Sequence, residues 1–318
     1  MACAALRAAL PPGRVACHGE PRFAAEAVIF NRNLQAERAP LIVATPETLA
    51  HVATVMRAAR DFKLRLAVRN GGHNPAGWAL SPGGITLDMS LQRSVRLVRG
   101  VLPSGEAAAP HVEVGGGALW RHVNRELDGT GLYAVGGGCA GVGVAGLALN
   151  GGIAFTSRHR GLIGDGVLSY TLVLPNGSVI DTASASGSLH SALQAAGGST
   201  IGVVWAMRIR LWPVPAGGHG LGLLNIEFKA PHSPRRMIEM AAAAHMANLH
   251  ATADEGAWAL TLIVGARNFL FHTFYDGPAP DWRASGDARG VFERLANVSS
   301  SAKRDEPGGL SPTLPFLT

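Results

Sequence analysis

Between Gly129 and Ser157 the chain runs 29 residues without a charged side chain, and ten of them are glycine. The length would suit a membrane span, but so many glycines break any helix that could cross. No membrane segment is expected there. Glycine also crowds into 71–84, 115–117 and 197–202, and it makes up 41 of the 318 residues, against ~7% in an average protein. No Gly-X-Y period accompanies it, so a collagen-like chain is excluded. Backbone of this kind turns sharply or lies close against something. With 47% hydrophobic and 16% charged residues, the chain has ample apolar material to bury, which excludes disorder as its main state.

The elements around the glycine clusters can be read from periodicity. Residues 41–43 form a short strand. Thr45 and Pro46 then offer an N-cap and a first-turn proline, and Leu49, Val52, Ala53, Met56 and Ala59 recur at helical spacing. Residues 64–68 form a second strand, which completes a β-α-β unit and runs straight into the loop Arg69-Asn70-Gly71-Gly72-His73-Asn74. Strands follow at 84–89 and 111–114, then a helix over 118–127 that Gly129 stops. Asn176-Gly177 between two apolar runs, 168–174 and 178–182, predicts a hairpin. A helix over 189–196 and a strand over 201–212 precede Pro213-Val214-Pro215, the best boundary. Beyond it a strand at 221–228, a helix to about 250, strands at 258–266 and 269–276 and a helix at 289–296 read as α+β. No repeat period is present.

Net charge is +6, from 28 Lys+Arg and 22 Asp+Glu. The basic residues fall into short groups at 93–99, 158–160 and 208–210 with no interleaved aromatic stripe, so no nucleic-acid partner is expected. Bound phosphates fit a mild basic excess equally well. Cys3, Cys17 and Cys139 make neither a disulfide framework nor a CxxC metal site, and no metal is expected. Cys3 and Cys17 carry no chemical context and are read as inert. The first residues make a poor signal peptide, because Arg7 interrupts the apolar run. Location therefore stays open, with the cytoplasm favoured. Asn176 and Asn297 match the glycosylation pattern without a secretion signal to support them.

Gly141-Val142-Gly143-Val144-Ala145-Gly146 matches G-x-G-x-x-G, but no strand of the right kind precedes it, and the 69–74 loop is followed by another strand rather than a helix. Both facts argue against a Rossmann site. What does line up is an ordered series: Arg69-Asn70-Gly71-Gly72-His73, residues 85–90, residues 135–146, Asn150-Gly151-Gly152, residues 161–165 and Ile201-Gly202-Val203-Val204. In this order and spacing the chain resembles the vanillyl-alcohol-oxidase/PCMH-type FAD-binding superfamily, and within it the berberine bridge enzyme-like FAD-linked oxidoreductases, over roughly 20–215.

The resemblance implies an α+β fold, with a PCMH-type FAD-binding domain over 36–215, a smaller, incomplete α+β substrate domain over 219–298 and an unstructured tail at 299–318. It implies FAD as cofactor. The binding residues would be Arg69, Asn70, Gly71, Gly72, His73, Asn74, Gly77, Gly138, Cys139, Val142, Gly143, Gly146, Gly151, Gly152 and Val203. Glycine suits this task because backbone N–H groups can then approach a pyrophosphate without a side chain in the way. The resemblance further implies a covalent bond from His73 to the 8α carbon of the flavin, and a second bond from Cys139 to carbon six. The bland alternatives are a loop histidine held by backbone and a small buried thiol. Asp165 is expected to brace its turn, and Asp88 to end its strand.

The implied activity is oxidation of a C–H bond next to oxygen or nitrogen in a small molecule, such as a secondary metabolite, an alcohol or a sugar, with molecular oxygen as acceptor. Several features depart from the family. Asn150 replaces a glycine, residues 189–202 lack the usual aromatic and Asn-Phe-Gly, and the C-terminal segment that carries the family's Asn-Tyr pair and frequent base has no counterpart. Tyr133, Tyr170 and Tyr275 are the available phenols, and Tyr275 is the weak choice for a base. The alternative reading is a flavin-binding protein without turnover. If the second domain is half-built, exposed apolar strands at 258–266 and 269–276 would favour self-association and slow turnover.

Overall fold

The computed structural model describes residues 1–100, 109–183, 187–196, 201–215, 220–227, 257–264 and 268–275. The chain divides into two compact units. The first comprises Met1–Ala154 and Arg160–Pro213, and the second Phe155–His159 and the chain from Val214 on.

The first unit holds two sheets. It opens with helix α1 (Ala2–Ala9), strand β1 (Val15–Cys17) and the short helix α2 (Phe23–Glu26). Then come β2 (Ile42–Ala44), helix α3 (Leu49–Asp61), β3 (Leu66–Arg69) and β4 (Ile85–Asp88). The four strands form one sheet in the order β1-β2-β4-β3. β2 and β3 run parallel to β4, while β1 adds antiparallel to β2. Val52, Val55 and Met56 of α3 pack with Leu6 and Leu10 from the α1 end against Ile42, Ile85 and Leu87 of this sheet. Full burial of each such side chain stabilises the fold by about 1.5–3 kcal/mol.

The second sheet contains β5 (Val95–Val98) and β6 (His111–Gly115). Helix α4 (Trp120–Leu127), the two-residue β7 (Leu132–Tyr133) and helix α5 (Val144–Ala148) follow, then helix α6 (Ser157–Arg160), most of which is assigned to the second unit. The sheet then takes up β8 (Val167–Val173) and β9 (Val179–Asp181), and, after helix α7 (Gly187–Ala196), β10 (Val203–Arg210). Its order is β5-β6-β10-β8-β9, antiparallel throughout. A parallel doubly wound sheet is thereby excluded. The expected Asn-Gly hairpin joins β8 to β9, with Val173 opposite Val179. The amphipathic α4 turns Trp120, Val123 and Leu127 inward. They enter a core with Val112, Val114, Ile163, Tyr170, Leu172 and Met207. Strand β11 (Trp212–Pro213) pairs with β7.

Three sequence expectations need correcting here. Cys3 and Cys17 are not inert: they form a disulfide, with Cα atoms 6.3 Å apart, that ties α1 to β1. Two cysteines 14 residues apart gave no framework to recognise, because the pairing depends on α1 folding back along the first strand. Helix α3 begins at Leu49, and its cap is Thr48, whose hydroxyl accepts the His51 N–H at 3.2 Å. Thr45 is occupied otherwise, donating its N–H to Arg14 O at 2.9 Å. The helix expected over 118–127 starts at Trp120, because Ala118 and Leu119 pair with the glycine loop instead. Strands β1, β5 and β7 were not anticipated.

In the second unit β12 (Gly220–Glu227), β13 (Ala257–Val264) and β14 (Asn268–Tyr275) form an antiparallel sheet in the order β12-β14-β13. Leu224 and Leu262 both stand opposite Phe271. The helices expected to about 250 and over 289–296, and the tail at 299–318, lie outside the described residues. Among the described residues no helix is long and apolar enough to cross a membrane.

Candidate functional site

The first glycine loop leaves β3 at Arg69. That guanidinium is turned into the protein. Its Nη2 lies 2.8 Å from Asp88 Oδ2 at the end of β4, and its Nη1 donates to Val28 O at 2.9 Å. Asp88 also accepts from the Ser90 N–H at 3.1 Å and the Ser90 hydroxyl at 2.8 Å. Arg69 therefore braces the loop, and its side chain is already committed to partners other than a cofactor. Asp88 does end its strand, as a buried member of this pair.

Asn70 Nδ2 donates to Gly116 O, while its Oδ1 is buried without a partner. Gly72 has φ +65°, which leaves its carbonyl free to accept the Phe30 N–H at 2.9 Å. His73 is half-buried, and its ring stacks on Phe30 with centroids 4.0 Å apart and planes 20° apart. Asn74 is exposed, its Oδ1 closing a turn by accepting the Ala76 N–H at 2.9 Å. The buried Gly77 packs beneath, toward Ile29 and Leu34.

The second glycine loop hangs from the N-terminus of α4. The Trp120 and Arg121 N–H groups, which a helix leaves without internal acceptors, donate to Val142 O at 3.1 Å and Ala140 O at 3.0 Å. Gly136 and Gly137 lie flat on the Trp120 ring, where a Cβ would come within 2.5 and 2.9 Å of neighbouring side chains. The indole N–H beneath them is buried without a partner. Gly138, Cys139 and Ala140 are exposed, and Cys139 is a free thiol. The end of α4 is capped by His122, whose Nδ1 accepts the Leu119 N–H at 3.0 Å. Burial, and then the charges of Arg93, Arg121 and Arg125, hold this imidazole below the usual histidine range.

The two loops meet at Gly71 and Gly143. A Cβ on Gly71 would sit 2.5 Å from Gly143 N, and one on Gly143 would collide with the Asn70 amide. Only hydrogen fits at either position. Among the described residues, the N–H groups of Gly71, Gly72 and His73 on one loop meet no protein acceptor. The same is true of Gly138, Cys139, Ala140 and Gly141 on the other. Runs of unpaired N–H groups beside a close glycine contact form an anion-binding concavity. A nucleotide pyrophosphate fits this donor set, and the partnerless Asn70 Oδ1 suits a hydroxyl or ring N–H donor.

The remaining expected residues lie around this junction with different roles. Val142 is half-buried and Gly146 exposed. Gly151 and Gly152 follow α5, which Asn150 closes by donating from Nδ2 to Gly146 O at 2.8 Å. Asp165 braces its turn by accepting the Leu162 N–H at 2.8 Å. Val203 is buried between the two sheets opposite Val173, so any role toward a cofactor falls to its backbone. Of the phenols, Tyr170 is fully buried with an unpartnered hydroxyl, and burial pushes its pKa up to about 12. Tyr133 Oη accepts from Arg160 Nε at 3.3 Å. The side chain of Tyr275 lies outside the described residues. Sequence reasoning missed Phe30 and Asn31. Their only local signal is an aromatic-Asn pair ahead of the first long strand.

Residues 40–183 match the family described as the FAD binding domain. That stretch holds both facing loops, so the part of the first unit that carries the candidate site is similar to an FAD-binding domain. Over these residues the chain is similar to the FAD-binding family, and its relatives include proteins named as FAD-linked oxidoreductases. It is 36% identical over 177 residues to (R)-6-hydroxynicotine oxidase of Paenarthrobacter nicotinovorans, a match covering 55% of this chain and 37% of that protein. The solved structure of 6-hydroxy-D-nicotine oxidase from Arthrobacter nicotinovorans superimposes with a TM-score of 0.72 at 26% identity, covering 93% of this chain and 66% of that one. Physcomitrella patens BBE-like 1 shares the fold at TM-score 0.72 and 21% identity, covering 90% and 57%. The match thus spans little more than a third of the length of the curated relative.

Proposed function

We propose that this chain is an FAD-linked oxidoreductase that removes hydrogen from a C–H bond next to nitrogen or oxygen in a small molecule. The observation that carries this reading is the pair of unpaired N–H runs meeting at Gly71 and Gly143. Bound there, FAD would supply a two-electron acceptor for the substrate's hydride. The chain's own part is to hold the pyrophosphate on the 71–73 and 138–141 N–H groups, to receive a donor on Asn70 Oδ1 and to present His73 and Cys139.

Attachment at His73 would join a ring nitrogen to the flavin 8α carbon, with one hydrogen lost from each partner and the two electrons and two protons passed to dioxygen as hydrogen peroxide. Attachment of the Cys139 sulfur at carbon six would have the same balance. The exposure of Cys139 favours this bond over the reading of a buried hydrophobe.

The test is the visible spectrum of the purified full chain before and after acid precipitation, with mass spectrometry of the His73 and Cys139 peptides. Oxygen consumption is then followed with secondary alcohols, sugars and nitrogen heterocycles. The name of the nicotine-oxidising relative puts the heterocycles first. A colourless protein that binds no added FAD would overturn the reading.

A second reading is a flavin-binding protein without turnover. It is favoured by the phenols: Tyr170 is sealed in the core and Tyr133 is engaged by Arg160. Yellow protein with no oxygen uptake on any substrate class would select it. Self-association, a small-molecule ligand and the place in secondary metabolism belong to this same proposal, and light scattering of the full chain checks the first. Location is also a proposal. The Cys3–Cys17 disulfide weighs toward an oxidising compartment, against the cytoplasm that the sequence favoured.

A further inference from the structure

The residues ahead of the matched 40–183 domain form a strap along the first glycine loop. Four contacts fasten it. The Phe30 N–H donates to Gly72 O at 2.9 Å, Asn31 Nδ2 donates to Pro75 O at 2.8 Å, Arg69 Nη1 donates to Val28 O at 2.9 Å, and Ile29 and Leu34 pack under Gly77. These bonds fall on both sides of His73 and hold Phe30 directly against it. Phe30 is 63% exposed. Among the described residues no hydrogen bond reaches the His73 imidazole. The Phe30 stack, at 4.0 Å and 20°, is therefore the contact that sets its plane.

A histidine ring turns broadly about its outer torsion when nothing holds it. Bond formation at a ring nitrogen needs that nitrogen's lone pair, which lies in the ring plane, aimed at the carbon it attacks. Stacking one face leaves the edges open and fixes the direction in which they point. We propose that Phe30 is a positioning residue: an aromatic plate, carried by the 28–34 strap, that orients the His73 imidazole for attachment to the flavin. This rests on the reading that His73 is the attachment point. The plate itself touches neither flavin nor substrate in the role assigned to it.

Misplacing a reacting group by about 1 Å costs on the order of 100-fold in rate. Phe30→Leu frees a ring that keeps its backbone anchor, so a loss of about tenfold in attachment rate is expected. The experiment adds FAD to flavin-free full-length protein and follows acid-stable flavin with time, with reversible FAD binding measured in parallel. Phe30→Leu should bind FAD reversibly as the wild type does, but attach it about tenfold more slowly. Phe30→Trp and Phe30→Tyr, which restore a flat ring, should recover the rate. Because Phe30 is largely exposed, little core is lost in any of these variants. In flavin-free protein the His73 ring-proton resonances should also move downfield in Phe30→Leu, as the ring current of the plate disappears.

Wild-type protein whose His73 peptide stays unmodified would overturn the attachment reading, and the plate's role with it. Modified His73 in both proteins at equal rates would overturn the plate alone. Equal weakening of reversible binding and of attachment in Phe30→Leu would also overturn it, since the ring would then be a plain structural contact. Slow attachment in Phe30→Leu with recovery in Phe30→Trp and Phe30→Tyr would support it.

Discussion

The two glycine loops make the same kind of concavity by opposite means. The His73 loop is pinned by side chains from elsewhere in the chain: the Arg69–Asp88 pair, the Asn70 amide on Gly116 and the Phe30 ring on His73. The Cys139 loop is held by backbone. Its carbonyls rest on the first turn of α4, its glycines lie on Trp120, and its tip is open to solvent. One loop has its histidine stacked on a phenyl ring; the other leaves its thiol exposed. If attachment needs a fixed direction, the first loop should be sensitive to distant substitutions and the second to changes in the helix beneath it.

The sharpest way to break this contrast is at Arg69. Removing one partner of a buried ion pair leaves a charge without compensation, at a cost of about 3–5 kcal/mol. Arg69→Leu should lower stability by that amount in urea unfolding, and most of the FAD affinity should go with it. A change below about 1 kcal/mol, at the level of an exposed pair, would mean the loop is not braced as described.

Next comes the junction. Gly143→Ala places a methyl against the Asn70 amide, and overpacking of this kind costs about 1–3 kcal/mol. Gly187→Ala, whose Cβ would also meet nothing within 4 Å and which lies outside both loops, is the matched control and should stay near wild type. Fluorescence titration with FAD should show weakened binding in the first variant and not in the second.

A smaller effect is expected at the open tip. Cys139→Ser should leave stability within about 0.5 kcal/mol and retain acid-stable flavin through His73. Loss of all covalent flavin in this variant would reverse the assigned order of the two loops.

The gentlest test uses pH. His122 accepts the Leu119 N–H only when neutral, and its pKa is lowered in the folded protein. The unfolded chain therefore takes up the proton first. The stabilisation is complete above the ordinary histidine pKa of about 6.5 and is lost as pH falls through the lowered folded value. With intrinsic exchange rates corrected for pH, the protection of the Trp120, Arg121, Val142 and Val144 N–H groups should fall over that window before that of the Phe30 and Gly77 N–H groups does. Equal responses in the two loops would remove the distinction between them.

Both loops were legible in the sequence because glycine, histidine and cysteine at ordered positions encode local geometry: tight turns, close approach and exposed reactive atoms. The β-α-β unit and the Asn-Gly hairpin were legible for the same reason, since period and turn chemistry act over a few residues. What stayed hidden depends on contacts between distant segments. Arg69 sits in a loop motif that suggests a cofactor ligand, yet Asp88, 19 residues on, claims its guanidinium. β1 is only three residues long and exists through pairing with β2. The Cys3–Cys17 bond needs α1 folded back, and Phe30 means little until β3 delivers His73 beside it.

Residues 1–39 fall outside the stretch that matches the FAD-binding family, yet they supply a strand to the first sheet, Leu6 and Leu10 to its core and the strap along the His73 loop. That has a consequence for recombination. A chimera crossed over at residue 40, where sequence similarity would put the seam, inherits the glycine loop from one parent and the surface that seats it from the other. Taking residues 1–39 from the parent that supplies the loop keeps the two together, so a donor segment for this fold is better chosen by what touches the loop than by where the alignment begins.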